Sequence, residues 1–124
     1  MRFIPIALAL VRSPRLLLLD EPTSALDLAN QLQILDAVSS YTRKHNIVTL
    51  AIFHDMNLAS RYADDTMMLH QGHVHCSGST GATLTPENLA HVYGVDCHAL
   101  SVDAGTFTAV YPVSVLTPEQ RAAH

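Results

Sequence analysis

The sequence predicts an α/β fold with parallel strands, and three stretches in its first half predict it. Leu16 to Leu19 is a continuous apolar run with no alternation, the pattern of a strand covered on both faces, and it ends on the acid pair Asp20-Glu21. From Leu28 to His45, apolar residues fall at Leu28, Leu32, Leu35, Val38 and Tyr41, a spacing of three or four that marks one buried helical face. Ile47 to Phe53 (IVTLAIF) is a second apolar run rich in β-formers. Strand, helix and strand in that order predict a right-handed parallel crossover.

The remaining elements follow from local signals. Ile6 to Ser13 reads as the last turns of a helix stopped before Pro14, because proline pushes the preceding residue out of the α region. Met56 to Tyr62 predicts a short helix, with Asp55 as its cap. Thr66 to Leu69 and His73 to Cys76 predict a hairpin turning at His70-Gln71-Gly72. Ser77 to Thr83 is expected to be a small-residue loop. Thr85-Pro86-Glu87 then has the order of an N-cap, a first-turn proline and an early acid, and Gly94 stops the helix after Tyr93. Two further strands are expected around Ala99 to Val102 and Phe107 to Tyr111, and Thr117 onward is expected to fray.

Composition narrows the classes. The chain has 124 residues, room for one modest domain; 48% are hydrophobic and 15% charged, which excludes a disordered tail. Seven basic against eleven acidic residues leave a net charge of -4, so no electrostatic footprint for nucleic acid is present. The longest apolar stretch, Phe3 to Val11, is far below the roughly 20 residues a spanning helix needs. No signal-peptide cleavage pattern is evident, and Cys76 and Cys97 imply no disulfide framework, so a reducing cytosol is expected.

Ligands of open α/β sheets gather outside the carboxyl ends of the parallel strands, where this sequence places Asp20-Glu21 and His54-Asp55. Such a set suits phosphate and metal chemistry. One acid can hold Mg²⁺ directly or through its water shell, a neighbouring acid can orient or deprotonate a water, and an imidazole can contact a transferring phosphoryl group.

These residues resemble a known family. Leu16-Leu17-Leu18-Leu19-Asp20-Glu21 resembles the Walker B strand of ABC ATPases, Pro22-Thr23-Ser24-Ala25-Leu26-Asp27 resembles the D-loop that follows it, and His54 stands where the switch histidine stands. The resemblance implies part of a P-loop NTPase core, with a C-terminal extension of β-hairpin and helix. It divides the chain into core residues 1–76 and extension residues 77–124. It implies Glu21 as catalytic base and His54 as γ-phosphate sensor, Asp20 as the Mg²⁺-associated acid, and Asp20, Ser24 and Asp27 as nucleotide-facing residues, Asp27 toward the partner's site. ATP and Mg²⁺ are the implied cofactors of the complete enzyme. A second ATPase subunit meeting the D-loop face and an integral membrane permease are the implied partners, on the cytoplasmic face of the plasma membrane.

Thr-Ser-Ala-Leu-Asp after the acid pair looks like transporter ATPases and unlike the translation-associated relatives. Gly72 to Val113 resembles the end of importer ATPases that serve iron-siderophore, haem or cobalamin uptake. No GxxxxGK[ST] phosphate loop occurs, and Gly72, Gly78, Gly81, Gly94 and Gly105 cannot supply one. The family's LSGGQ signature would end just before Met1, and Phe3 to Val11 resembles the helix after it, with Pro5 and Leu8 departing from the pattern. A fragment that hydrolyses no ATP alone is therefore expected; the alternative is a non-catalytic remnant or dimerisation module. His70, His73, His75 and Cys76 admit a third reading as a metal cluster. Their match to the importer hairpin makes solvent-facing strand residues the expectation, and Cys97-His98 is read in the same way.

Overall fold

The computed structural model describes residues 13–123. The expected helix from Ile6 and the departures at Pro5 and Leu8 lie outside the described residues, apart from Ser13 at that helix's end. The chain divides into two compact units, with the boundary between His54 and Asp55.

In the first unit, β1 (Leu16–Asp20) and β2 (Val48–Ile52) pair in parallel, Leu16 opposite Val48 through Asp20 opposite Ile52. The helix α1 (Leu28–Lys44) connects them, as the strand-helix-strand order requires. Asp27 caps α1 by accepting a bond from the Asn30 N–H at 2.9 Å, and Arg43 and Lys44 stand in the last turn, where the helix dipole favours cations. Leu17, Leu19 and Val38 form the core of this unit, with Ile47 and Ala51 packed against it. Thr42 and Thr49 join α1 to β2 through their hydroxyls at 2.6 Å.

Two expectations change here. β1 buries only alternate residues: Leu17 and Leu19 are covered while Leu16, Leu18, Val48, Leu50 and Ile52 are all more than half exposed. On α1 the buried residues are Ile34, Leu35 and Val38, whereas Leu28 is 79% exposed. Periodicity marks a face of a helix, but not where along its axis the cover stops, and Leu28 is the first helical residue.

The second unit begins with α2 (Met56–Tyr62), capped as expected by Asp55, whose carboxylate accepts from the N–H groups of Asn57 and Leu58. A hairpin follows, β3 (Asp65–His70) and β4 (His73–Ser79), with Gln71 and Gly72 both at positive φ, the requirement of a tight type I′ turn. β4 extends through Ser79, past the loop expected from Ser77 and across position 76/77; a single helical turn, α3 (Thr80–Thr83), comes next. The Thr85-capped helix α4 (Pro86–Tyr93) ends on Gly94 at φ 68°, as the Thr-Pro-Glu and Gly signals predict.

β5 (Val95–Val102) and β6 (Phe107–Val115) form the last antiparallel pair, longer than expected at both outer ends. Thr117 onward does not fray. It forms α5 (Pro118–Ala122), closed by a capping box in which Thr117 and Gln120 bond each other's backbone N–H.

Met68, Leu84, Leu89, Cys97 and Val110 are the core of the second unit. Side chain to backbone bonds fasten its elements: Asn57 takes both the N–H and the carbonyl of Val110 (2.7 and 3.2 Å), and Ser60 does the same with Thr108. Thr80 donates to the Ala63 carbonyl, and the hydroxyls of Thr66 and Thr83 meet. Among the described residues no buried side-chain polar atom lacks a partner, as a well-formed interior requires.

Candidate active site

Chain geometry alone brings the first unit's polar residues together. Asp20 is the last residue of β1, exposed, and opposite Ile52 at the end of β2. Glu21 continues the pairing by donating its N–H to the Ile52 carbonyl at 3.0 Å, while its own backbone turns to φ 47°. A non-glycine residue in that region is uncommon, and such conformations collect at functional sites. The turn places the Glu21 carboxylate against the imidazole of His54, two residues beyond β2, where Oε1 and Nε2 are hydrogen-bonded. Glu21 and His54 are thus 33 residues apart in sequence and in contact in space.

Residues 22–27 form a succession of turns. Ser24 donates its N–H to the Glu21 carbonyl, Leu26 to that of Thr23, and Gln31 reaches back from α1 to the Leu26 carbonyl at 3.2 Å. Pro22 and Thr23 are buried, and Ala25 has φ 66°. The loop is therefore anchored at its base and held in shape by backbone bonds. Ser24 is half-buried beside Glu21; Asp27 lies at the far end, its carboxylate engaged as the α1 cap. The structure brings Asp20, Glu21 and His54 to one strand end and leaves Ser24 and Asp27 along the loop that leaves it.

Glu21 and His54 side chains are 39% and 75% exposed, so water screens their attraction, and such a pair contributes only about 0.2–1 kcal/mol to stability. Their juxtaposition comes from strand register. The acid pair fits the metal and water end of a Mg-nucleotide. These residues do not supply a phosphate cradle, because this sequence contains no GxxxxGK[ST] loop.

The fold is that of part of an ABC ATPase. Over 90% of its length the chain superposes on 46% of a solved chain from an inward-facing metal-chelate type ABC transporter, with a TM-score of 0.81 at 32% identity. It is a homologue of ABC transporter ATP-binding proteins. It is 43% identical to one of these from Methanocaldococcus jannaschii over 97 residues, 78% of this chain and 38% of that relative. To the hemin import ATP-binding protein HmuV of Burkholderia thailandensis it is 48% identical over 94 residues, 76% of this chain and 34% of that protein. The chain thus spans under two fifths of the curated relatives it matches. No protein-family model matches it. No helix among the described residues is long and apolar enough to cross a membrane.

The second unit holds what the sequence reading missed. His70 and His75 are not plain solvent-facing residues, because His91 of α4 lies between them. The signal available was His91 standing at the fourth position after Glu87, on the α4 face next to Asn88, but nothing in spacing tied α4 to the hairpin.

Proposed function

We propose that this chain is the portion of an ABC importer ATPase that supplies the metal-associated acid, the catalytic base and the switch histidine. The observation that carries the reading is the Glu21–His54 contact at the carboxyl ends of two paired parallel strands, with Asp20 beside it. In the complete enzyme Asp20 would help hold Mg²⁺, Glu21 orient and deprotonate the attacking water, and His54 contact the γ-phosphate. The turns of residues 22–27 would present Ser24 and Asp27 to a second subunit. In the complete enzyme these residues would hold Mg-ATP, whose hydrolysis would drive transport through a membrane permease on the cytoplasmic side of the membrane. The relatives named for hemin import and metal-chelate transport support a haem or iron-chelate cargo, with cobalamin in the same chemical class. Residues 1–76 would be the core share of the subunit and 77–124 its extension.

The test is to supply the missing half. The chain is joined in frame to the phosphate-loop half of a hemin import ATP-binding protein, and ATP turnover and permease-dependent haem uptake are measured. Turnover lost by at least a hundredfold in Glu21→Gln and in His54→Ala is expected, with ATP binding kept. Full turnover in both variants would overturn the assignment. The lack of a phosphate loop favours a second reading, a non-catalytic dimerisation module; it predicts no turnover from the chimera, and dimerisation that is sensitive to Asp27→Ala.

A further inference from the structure

Within the second unit, the hairpin β3–β4 and helix α4 gather histidines of their own. The rings of His75 and His91 stack with centroids 4.4 Å apart, and the ring of His70 meets His91 edge-on at 5.3 Å. His73 is the register partner of His70, and cross-strand partners point to the same face. A register shift makes this possible. Leu69 pairs with Val74 and Met68 with Cys76, so His75 is an extra residue in β4, and such a bulge re-aims its side chain, here toward α4.

A partner for Nε2 of His75 is already in place. Asn88 of α4 donates its amide to the Thr83 carbonyl at 2.9 Å, which fixes its oxygen as the acceptor facing His75 Nε2 at 3.1 Å. With Nε2 engaged by that oxygen, Nδ1 is the nitrogen His75 has left for a metal. An imidazole whose far N–H is held by a carbonyl oxygen is the usual arrangement of a metal ligand. The Thr83 and Asn88 bonds set it before any metal arrives.

We infer that His70, His75 and His91 form a binding site for a d-block divalent cation of the zinc class, with His73 or water completing the shell. Two imidazoles on a tetrahedral zinc hold their ring centroids about 5 Å apart, given metal–nitrogen bonds near 2.0–2.1 Å. The His70–His91 spacing matches that figure. Among the described residues no three side chains converge on one point, so binding requires the exposed His91 ring to turn off its stack while Asn88 keeps His75 in place. That motion costs little, because the final torsion of a histidine side chain is broad. Cys97 does not compete: it is buried in the core, where burial and then the nearby Asp96 carboxylate push its thiol up and keep it protonated. In this arrangement the metal bridges hairpin and helix and stabilises the second unit.

The test titrates Zn²⁺ into the full chain against a chromophoric chelator, with ring-proton NMR of the histidines read in parallel. One equivalent is expected to bind, shifting His70, His75 and His91 ring signals and raising the melting temperature. Affinity is expected to fall at least tenfold in His91→Gln and about tenfold or more in Asn88→Ala, and to be unchanged in His45→Gln and Cys76→Ser. Absence of a one-equivalent phase would overturn the site. So would ring shifts confined to other histidines, which the unmutated chain reports even where a variant fails to fold. Binding kept in the triple His70, His75, His91→Gln chain would also overturn it.

Discussion

The two units differ in what they keep for themselves. Residues 55–123 close on their own core: Leu89 is fully buried, Met68, Leu84, Cys97 and Val110 surround it, Asn57 and Ser60 fasten α2 to β6 through backbone partners, and Thr80 ties α3 to the end of α2. Residues 13–54 hold Asp20, Glu21 and His54 and cluster Leu17, Leu19 and Val38, with Ile34 and Leu35 also buried, but leave five apolar strand residues more than half exposed on the other face. The proposed site thus sits on the unit with the larger bare apolar face. A parallel two-stranded sheet with one bare apolar face is a surface built to be covered, which fits a chain spanning a minority of its relatives' length.

The largest effect that would break this contrast is in the cores. Leu89→Ala is expected to destabilise the second unit by about 3–5 kcal/mol, the range for a well-enclosed leucine. Leu17→Ala should cost the first unit about 2 kcal/mol or less, since a small core with one open side collapses more easily around a void. Urea melts followed by probes in each unit would show it, and equal losses would erase the distinction. Next is Asn57→Ala, which strands both the N–H and the carbonyl of Val110. A loss of about 1–3 kcal/mol is expected, with faster amide exchange at Val110.

A smaller effect tests whether the first unit is organised locally instead. Asp27→Ala removes the carboxylate that caps α1 and should cost about 1 kcal/mol of helix stability, seen as lost helical circular dichroism. Asp27→Asn should restore most of it, because the amide oxygen can accept the same bond. Failure of that rescue would show that the charge itself is required.

Much of this was legible in the sequence because the signals were local or periodic. Asp55 and Thr85 cap where they were expected to, and the apolar runs at Leu16 and Ile47 pair in parallel. Glu21 and His54 were placed at strand ends, and the register then made them partners. What escaped was set by tertiary contacts. Leu28 carries the period of a buried face and meets no cover, and Ser77 to Ser79, weak strand formers, are held in β4 by pairing with Asp65, Thr66 and Met67. The helix at Thr117 escaped differently: Thr-Pro-Glu there repeats the cap signal used at Thr85, and its Gln120 completes a capping box. The histidine cluster depends on a bulge, which spacing does not announce.

The smallest effect on stability sharpens the comparison most directly. Leu50 is 62% exposed on the open face of the first unit, opposite Leu18 in the strand pairing. Leu50→Lys removes little buried area, so the change in unfolding free energy should stay within about 0.5 kcal/mol. If that face is a surface awaiting cover, the lysine should markedly raise solubility and suppress concentration-dependent light scattering, because a charge interrupts an apolar strand surface. In the ATPase chimera the same change should do the opposite, lowering yield and turnover, since the lysine would then be buried against the added half without a partner. A chimera indifferent to Leu50→Lys would mean that this face stays open in the complete subunit, and that the first unit is bare by design.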